Sequence, residues 1–197
     1  MHEPMRNPTE LHEKAARRWR EAQRADTESE RDEEAGRAVA FEVPIVWEGP
    51  TSRAMNWARA LEAYEMFWRT SRPRRAPREN SRNRSSLPRA EGRLGEWARY
   101  QRRFQDRLSE FQRIRLTASP AFHWDPVEAA WMTHLELCRL HYVIHRRLPL
   151  LNGDNAEEFA LARWLNRQLR QLQMGTQPPA RASFLAEVLS LPSSADK

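Results

Sequence analysis

The chain has 197 residues, with 33 Lys and Arg against 27 Asp and Glu, a formal net charge of +6. That length buries roughly 70% of the unfolded surface, so neither disulfides nor a structural metal is needed to fold it. A single cysteine, Cys138, excludes an intrachain disulfide and fits a cytoplasmic setting; with no apolar h-region at the start and no run near the ~18 apolar residues of a bilayer span, neither secretion nor a membrane partner is expected.

Residues 1–53 read as an acidic N-terminal arm. Within it, Leu11, Ala15, Trp19 and Ala22 recur at spacings of 4, 4 and 3 and predict a short amphipathic helix. The run from Asp26 to Arg37 is polar and acidic with almost nothing to bury. The β-branched, apolar stretch at 38–47, stopped by Gly49-Pro50, is expected to be extended. Residues 69–107 carry 13 Arg against Glu79, Glu91, Glu96 and Asp106, a local net charge of +9, so everything outside sums to −3. Inside that region, 70–92 has Pro, Ser, Asn and Arg with no hydrophobic period and reads as a long basic loop. From Arg93 onward the pattern is helical, punctuated by Pro120, Pro126, Pro149, Pro178, Pro179 and Pro192 and by Gly153 and Gly175. The fold class expected is all-α.

The helical part repeats. Leu94, Trp97, Gln101 and Arg103 precede Leu161, Trp164, Gln168 and Arg170 by 67 positions, and upstream Trp57, Leu61 and Tyr64 precede Trp131, Leu135 and Cys138 by 74. The seven-residue difference falls in the Arg/Pro loop, where an insertion between two copies belongs. These residues resemble the helicase-associated domain, a three-helix module found in tandem in some bacterial helicase-like proteins. The first copy, 54–125, carries NWARALEAYEMFW, RLGEWARYQRR and an ending with Phe122, Trp124 and Asp125. The second, 126–192, is more degenerate: it keeps Trp131, Pro149, Leu161, Trp164 and Gln168, has Leu169 where the family expects Arg, and lacks an aromatic-x-Trp ending. Residues 193–197 are a tail. The resemblance implies two tandem three-helix units and a nucleic-acid-binding accessory role.

Thirteen arginines are candidate nucleic-acid contacts. Arg72, Arg74, Arg75, Arg78, Arg82 and Arg84 lie on the loop. On the second helix of copy one, Leu94, Trp97, Gln101, Phe104 and Leu108 form an apolar seam, with Arg99, Arg103 and Arg107 opposite and Arg102 on the shoulder. In copy two, Arg163, Arg167 and Arg170 stand opposite Leu161, Trp164, Leu165, Gln168 and Leu172. Arginine forks suit phosphate, although 31 Arg to two Lys is also the signature of a GC-rich genome. Trp57, Trp97, Trp131 and Trp164 occupy equivalent seam positions and are expected in the core, whereas Trp19 and Trp68 are less constrained. His134, Cys138, His141 and His145 follow one helix face, but four ligands spread over about 16 Å cannot converge on one metal ion. Gln101 and Gln168, at the seam edges, are expected to cap backbone groups.

The only lysines, Lys14 and Lys197, stand outside any phosphate-loop motif, and no G-x-S-x-G, H-E-x-x-H or C-x-x-C occurs. No catalytic residue, metal or cofactor is therefore expected. The function expected is non-catalytic binding of nucleic acid, DNA ahead of RNA, with the acidic segment 26–34 resting on the basic surface when no polyanion is present. The alternative is an adaptor that docks onto a larger protein or nucleoprotein complex.

Overall fold

The computed structural model describes residues 7–22, 26–42, 52–79 and 87–191, and all regular structure among them is helical. In chain order the elements are α1 (Pro8–Glu21), α2 (Thr27–Ala40), α3 (Ser52–Thr70), α4 (Arg89–Arg103), a single 3₁₀ turn (Gln105–Arg107), α5 (Glu110–Ala118), α6 (Pro126–His145), α7 (Ala156–Gln173) and α8 (Pro179–Leu189). They form two compact units, Met1–Trp124 and Asp125–Lys197. None of the described helices is long and apolar enough to cross a membrane.

Short polar residues set the helix starts. Asp26 accepts the Ser29 amide at 2.7 Å to open α2, and Asp125 accepts the amides of Val127 and Glu128 to open α6, with Pro126 at its first position. Asn155 does the same for α7. Ser109 and Gln112 form a reciprocal capping box at α5.

The first unit has two apolar layers that share α5. On one side Trp57, Leu61 and Tyr64 of α3 pack with Ala98 of α4, Leu116 of α5 and Phe122, and Ala35 and Val39 of α2 join them. On the other, Ala15, Ala16 and Trp19 of α1 close over Phe111, with Ile114 and Ala118 beside them. Between the layers Glu65 and Arg115 form a buried bidentate pair, both contacts at 2.8 Å.

The acidic stretch therefore differs from its sequence reading. Asp26–Arg37 does have a face to bury, made of Ser29, Asp32 and Ala35 at one-turn spacing. The Phe111 amide donates to Ser29 Oγ, and Ser109 Oγ donates to Asp32 at 2.7 Å. Burial raises the Asp32 carboxyl above its usual range, and the Ser109 bond partly offsets that rise. The segment is thus docked on α3 and α5, and its Glu28 stands on the wall of a groove that Arg53 and Arg107 also line. Residues 38–40 end α2 and 41–42 turn, so the expected extended stretch is helical at its start; its remainder, 43–47, lies outside the described residues. Trp19, less constrained by the repeat than the seam tryptophans, is buried at 8% exposure on the apolar face of α1.

The second unit repeats the inner contacts of the first. Trp131, Leu135 and Cys138 of α6 pack on Trp164 and Leu165 of α7 and on Leu185 and Val188 of α8. In both units an indole N–H donates to a glutamine amide oxygen: Trp57 to Gln101 at 3.1 Å and Trp131 to Gln168 at 2.9 Å. The two glutamines, expected to cap backbone, instead satisfy buried tryptophans, and only Gln101 also reaches a carbonyl, that of Trp97.

Candidate nucleic-acid interface

Of the loop expected over 70–92, Thr70 instead ends α3 and residues 89–92 are the first turn of α4, because the helix starts right after Pro88; the described stretch 71–79 is held against α4. Glu91, in the first turn of α4, accepts Arg75 Nη1 at 2.6 Å, Arg78 Nε at 2.9 Å and the Arg78 backbone amide at 3.1 Å. These bonds, Arg75 first and Arg78 next, hold the Glu91 carboxyl at about 2 rather than 4.5. Pro77 is buried between them. The loop backbone comes so close that a Cβ on Gly95 would lie 2.2 Å from the Arg78 carbonyl oxygen, so only glycine fits there. The same device recurs in the second unit, where Glu158 accepts Arg147 and the Leu150 amide around the buried Pro149. The Arg147 bond foremost, then the Leu150 amide, hold Glu158 at about 2 as well. Sequence reading passed over this strap although a signal was present: Arg-x-Pro occurs at 75–77 and at 147–149, and Glu91 precedes Glu158 by the same 67 residues as the tryptophans.

These contacts divide the thirteen candidate arginines. Arg75 and Arg78 are committed to Glu91 and are not free loop cations. Arg102 pairs with Glu79, donates to the His123 carbonyl and lies over the Phe122 ring at 5.1 Å, so it helps to hold the fold. Arg99 pairs with Glu96, one turn back on the same exposed face, at 2.6 Å. Arg72 is exposed and bonds only local carbonyls, and Arg74 sits over the Trp68 ring at 5.2 Å. Arg82 and Arg84 lie outside the described residues.

The remaining cations fall into two groups. In the first unit, α4 ends at Arg103, so the helical period that placed Arg107 beside Arg99 and Arg103 does not reach it. Arg103 and Arg107 instead flank Phe104, at 5.4 and 4.9 Å from its ring. Arg107 borders an open groove of about 640 Å³ with Arg53, Trp97 and Tyr100 also on its walls. Tyr100 is 55% exposed and its ring lies 4.5 Å from that of Phe104. In the second unit, Arg163, Arg167 and Arg170 are all exposed on α7, opposite Trp164, Leu165 and Gln168. Arg163 approaches the Phe159 ring at 5.9 Å, and none of the three has a carboxylate partner among the described residues. The equivalent α4 positions, 67 residues earlier, are Glu96, Tyr100 and Arg103, so the fully cationic stripe belongs to α7 alone.

The histidine line on α6 is divided among separate contacts. His134 stacks on Trp164 at 5.2 Å, with its Nδ1 2.7 Å from the Ala130 carbonyl oxygen. Burial foremost lowers His141, whose Nε2 is 3.6 Å from Glu158, and the His145 ring lies 4.4 Å from it. Burial also pushes the Cys138 thiol up to about 12. Comparison with family models, curated proteins and solved structures finds no match for this chain.

Proposed function

We propose that this chain is a non-catalytic nucleic-acid-binding protein, DNA ahead of RNA, and that its two units descend from one three-helix module of the helicase-associated kind. The observation that carries the binding reading is the α7 stripe: three exposed arginines along one face with no carboxylate partner among the described residues. Such a stripe, about 10 Å long at helical rise, tracks successive phosphates. Arg103 and Arg107 form a second cationic point at the half-buried Phe104, beside the exposed Tyr100 ring, where an unpaired base can stack. The loop takes a smaller part than its composition suggests, because Arg75 and Arg78 already have a carboxylate.

Anisotropy of a labelled mixed-sequence duplex at 50 and 200 mM salt tests this. Five phosphate contacts give a slope of about −4.5 in log affinity against log salt, hence a loss of roughly 500-fold between those conditions. Arg167→Glu with Arg170→Glu should lower affinity at 50 mM and flatten the slope by about 2. Absence of binding at 50 mM, or a slope unchanged by the double reversal, overturns the proposal.

A further inference from the structure

Helix α6 is apolar on two sides. One side carries Trp131, Leu135, Cys138 and Tyr142 into the unit's core. The opposite side carries Ala130, Thr133, Leu137, Leu140 and Ile144, spaced 3, 4, 3 and 4, all of them exposed. Leu137, Leu140 and Ile144 are 45%, 54% and 63% exposed, and Val143 on the shoulder is 59% exposed. This spacing is the seam of a coiled coil.

The core does not require it. Helix α3 places Trp57, Leu61 and Tyr64 where α6 places Trp131, Leu135 and Cys138, yet its outer positions are Asn56, Arg59, Ala63, Met66 and Thr70. The same inner pattern is thus compatible with a more polar back: Asn56, Arg59 and Thr70 stand where α6 has Ala130, Thr133 and Ile144, and at the other two positions α6 puts leucine for Ala63 and Met66. We infer that α6 is a dimerisation helix, and that two copies of this chain pair through Ala130, Thr133, Leu137, Leu140 and Ile144 in antiparallel orientation.

A second copy is the occupant that the seam itself matches, because an isologous contact needs one patch that is complementary to itself. With up to about 100 Å² exposed on each of its larger side chains, the seam offers on the order of 500 Å² per copy, or ~1,000 Å² in all, the lower edge of a specific interface. Charge sets the direction. Asp125 stands at the N-terminal end of α6 beside Glu128, which also holds Arg181, and His145 stands at the C-terminal end, ahead of the Arg147 that Glu158 holds. Antiparallel pairing therefore brings carboxylates toward bases and opposes the two helix dipoles.

Sedimentation equilibrium of the full chain from 1 to 100 µM provides the test. The expected mass rises from 23.3 kDa toward twice that value within this range. Leu137→Glu with Leu140→Glu should hold the chain at the monomer mass, with the thermal melt of wild type at concentrations where wild type is also a monomer, since both side chains already face water in the single chain. Met66→Glu, at the matching position of α3, should leave the dimer intact. For orientation, Leu137→Cys in a Cys138→Ala background should cross-link across the two-fold axis, which passes through the middle residue of the seam. Ala130→Cys should not, because antiparallel pairing separates the two copies of that position by roughly 20 Å. A mass of one chain at 100 µM would mean that something other than a second copy covers the seam, and overturns the inference. A dimer that survives the double Glu substitution overturns it as well, and efficient cross-linking at position 130 overturns the antiparallel orientation.

Discussion

Glu91→Gln separates the structural and the binding roles of the loop arginines in one substitution. Glutamine keeps the shape and still accepts the Arg78 amide, so the change removes charge rather than volume. The Glu91 carboxyl is held at about 2 instead of 4.5, a difference that amounts to ~3 kcal/mol of differential interaction if none of it is screened. Arg75 and Arg78 are 42% and 55% exposed, so water and salt reduce that figure and the expected loss is ~1–2 kcal/mol at pH 7. The sign follows from the direction: a carboxyl depressed on folding stabilises above its unfolded value and loses that contribution as pH falls. Urea unfolding followed by tryptophan fluorescence should show wild type above the variant at pH 7. The gap should narrow below pH ~4.5 and be more than half gone by pH 3. Two arginines are freed at the same time, so the salt slope for polyanion binding should steepen, by up to about 2. A gap under ~0.3 kcal/mol at pH 7, or one that does not change with pH, would refute the strap as described.

Glu65→Leu strands a buried guanidinium that cannot shed its proton, and should cost the first unit ~3–5 kcal/mol in urea unfolding. Adding Arg115→Met should recover most of that loss, and a single substitution costing under ~1 kcal/mol would contradict the pair's burial. Cys138 is fully buried with its thiol pushed up to about 12, so at pH 8 it should react with iodoacetamide only as fast as the second unit opens. Labelling at the rate of a free thiol in the absence of denaturant would show that the core is not closed there.

How much of this was legible in the sequence depends on where each signal lay. Tryptophans at matched offsets announced the inner faces of α3, α4, α6 and α7, because large apolar residues at helical spacing have few other uses. The acidic stretch misled for the opposite reason. Its buried face is Ser29, Asp32 and Ala35, small or polar residues that become buriable only because Ser109 and the Phe111 amide wait on another helix 77 to 82 positions away. Local hydropathy cannot report a hydrogen bond that distant. The strap was hidden by composition: an Arg/Pro/Ser run resembles a solvated loop until a single carboxylate is recognised as its anchor. Charge on α4 was legible as a count but not as a balance, since Glu96 interrupts the arginine face that α7 keeps. On α6 the second apolar period, Leu137, Leu140 and Ile144, was readable throughout, interleaved with His134, His141 and Cys138.

Because α5 turns Phe111 toward α1 and Leu116 toward α3, the boundary suggested by the repeat at residue 54 is not a place where the polypeptide can be cut. A fragment starting there would leave Phe111 and Ile114 facing water and take Asp32 from Ser109. Whatever the ancestry of the triple-helical portion, the two leading helices have become part of its foundation. Dissection of the protein therefore has one workable seam between its halves, around residues 124 and 125, and none within the first.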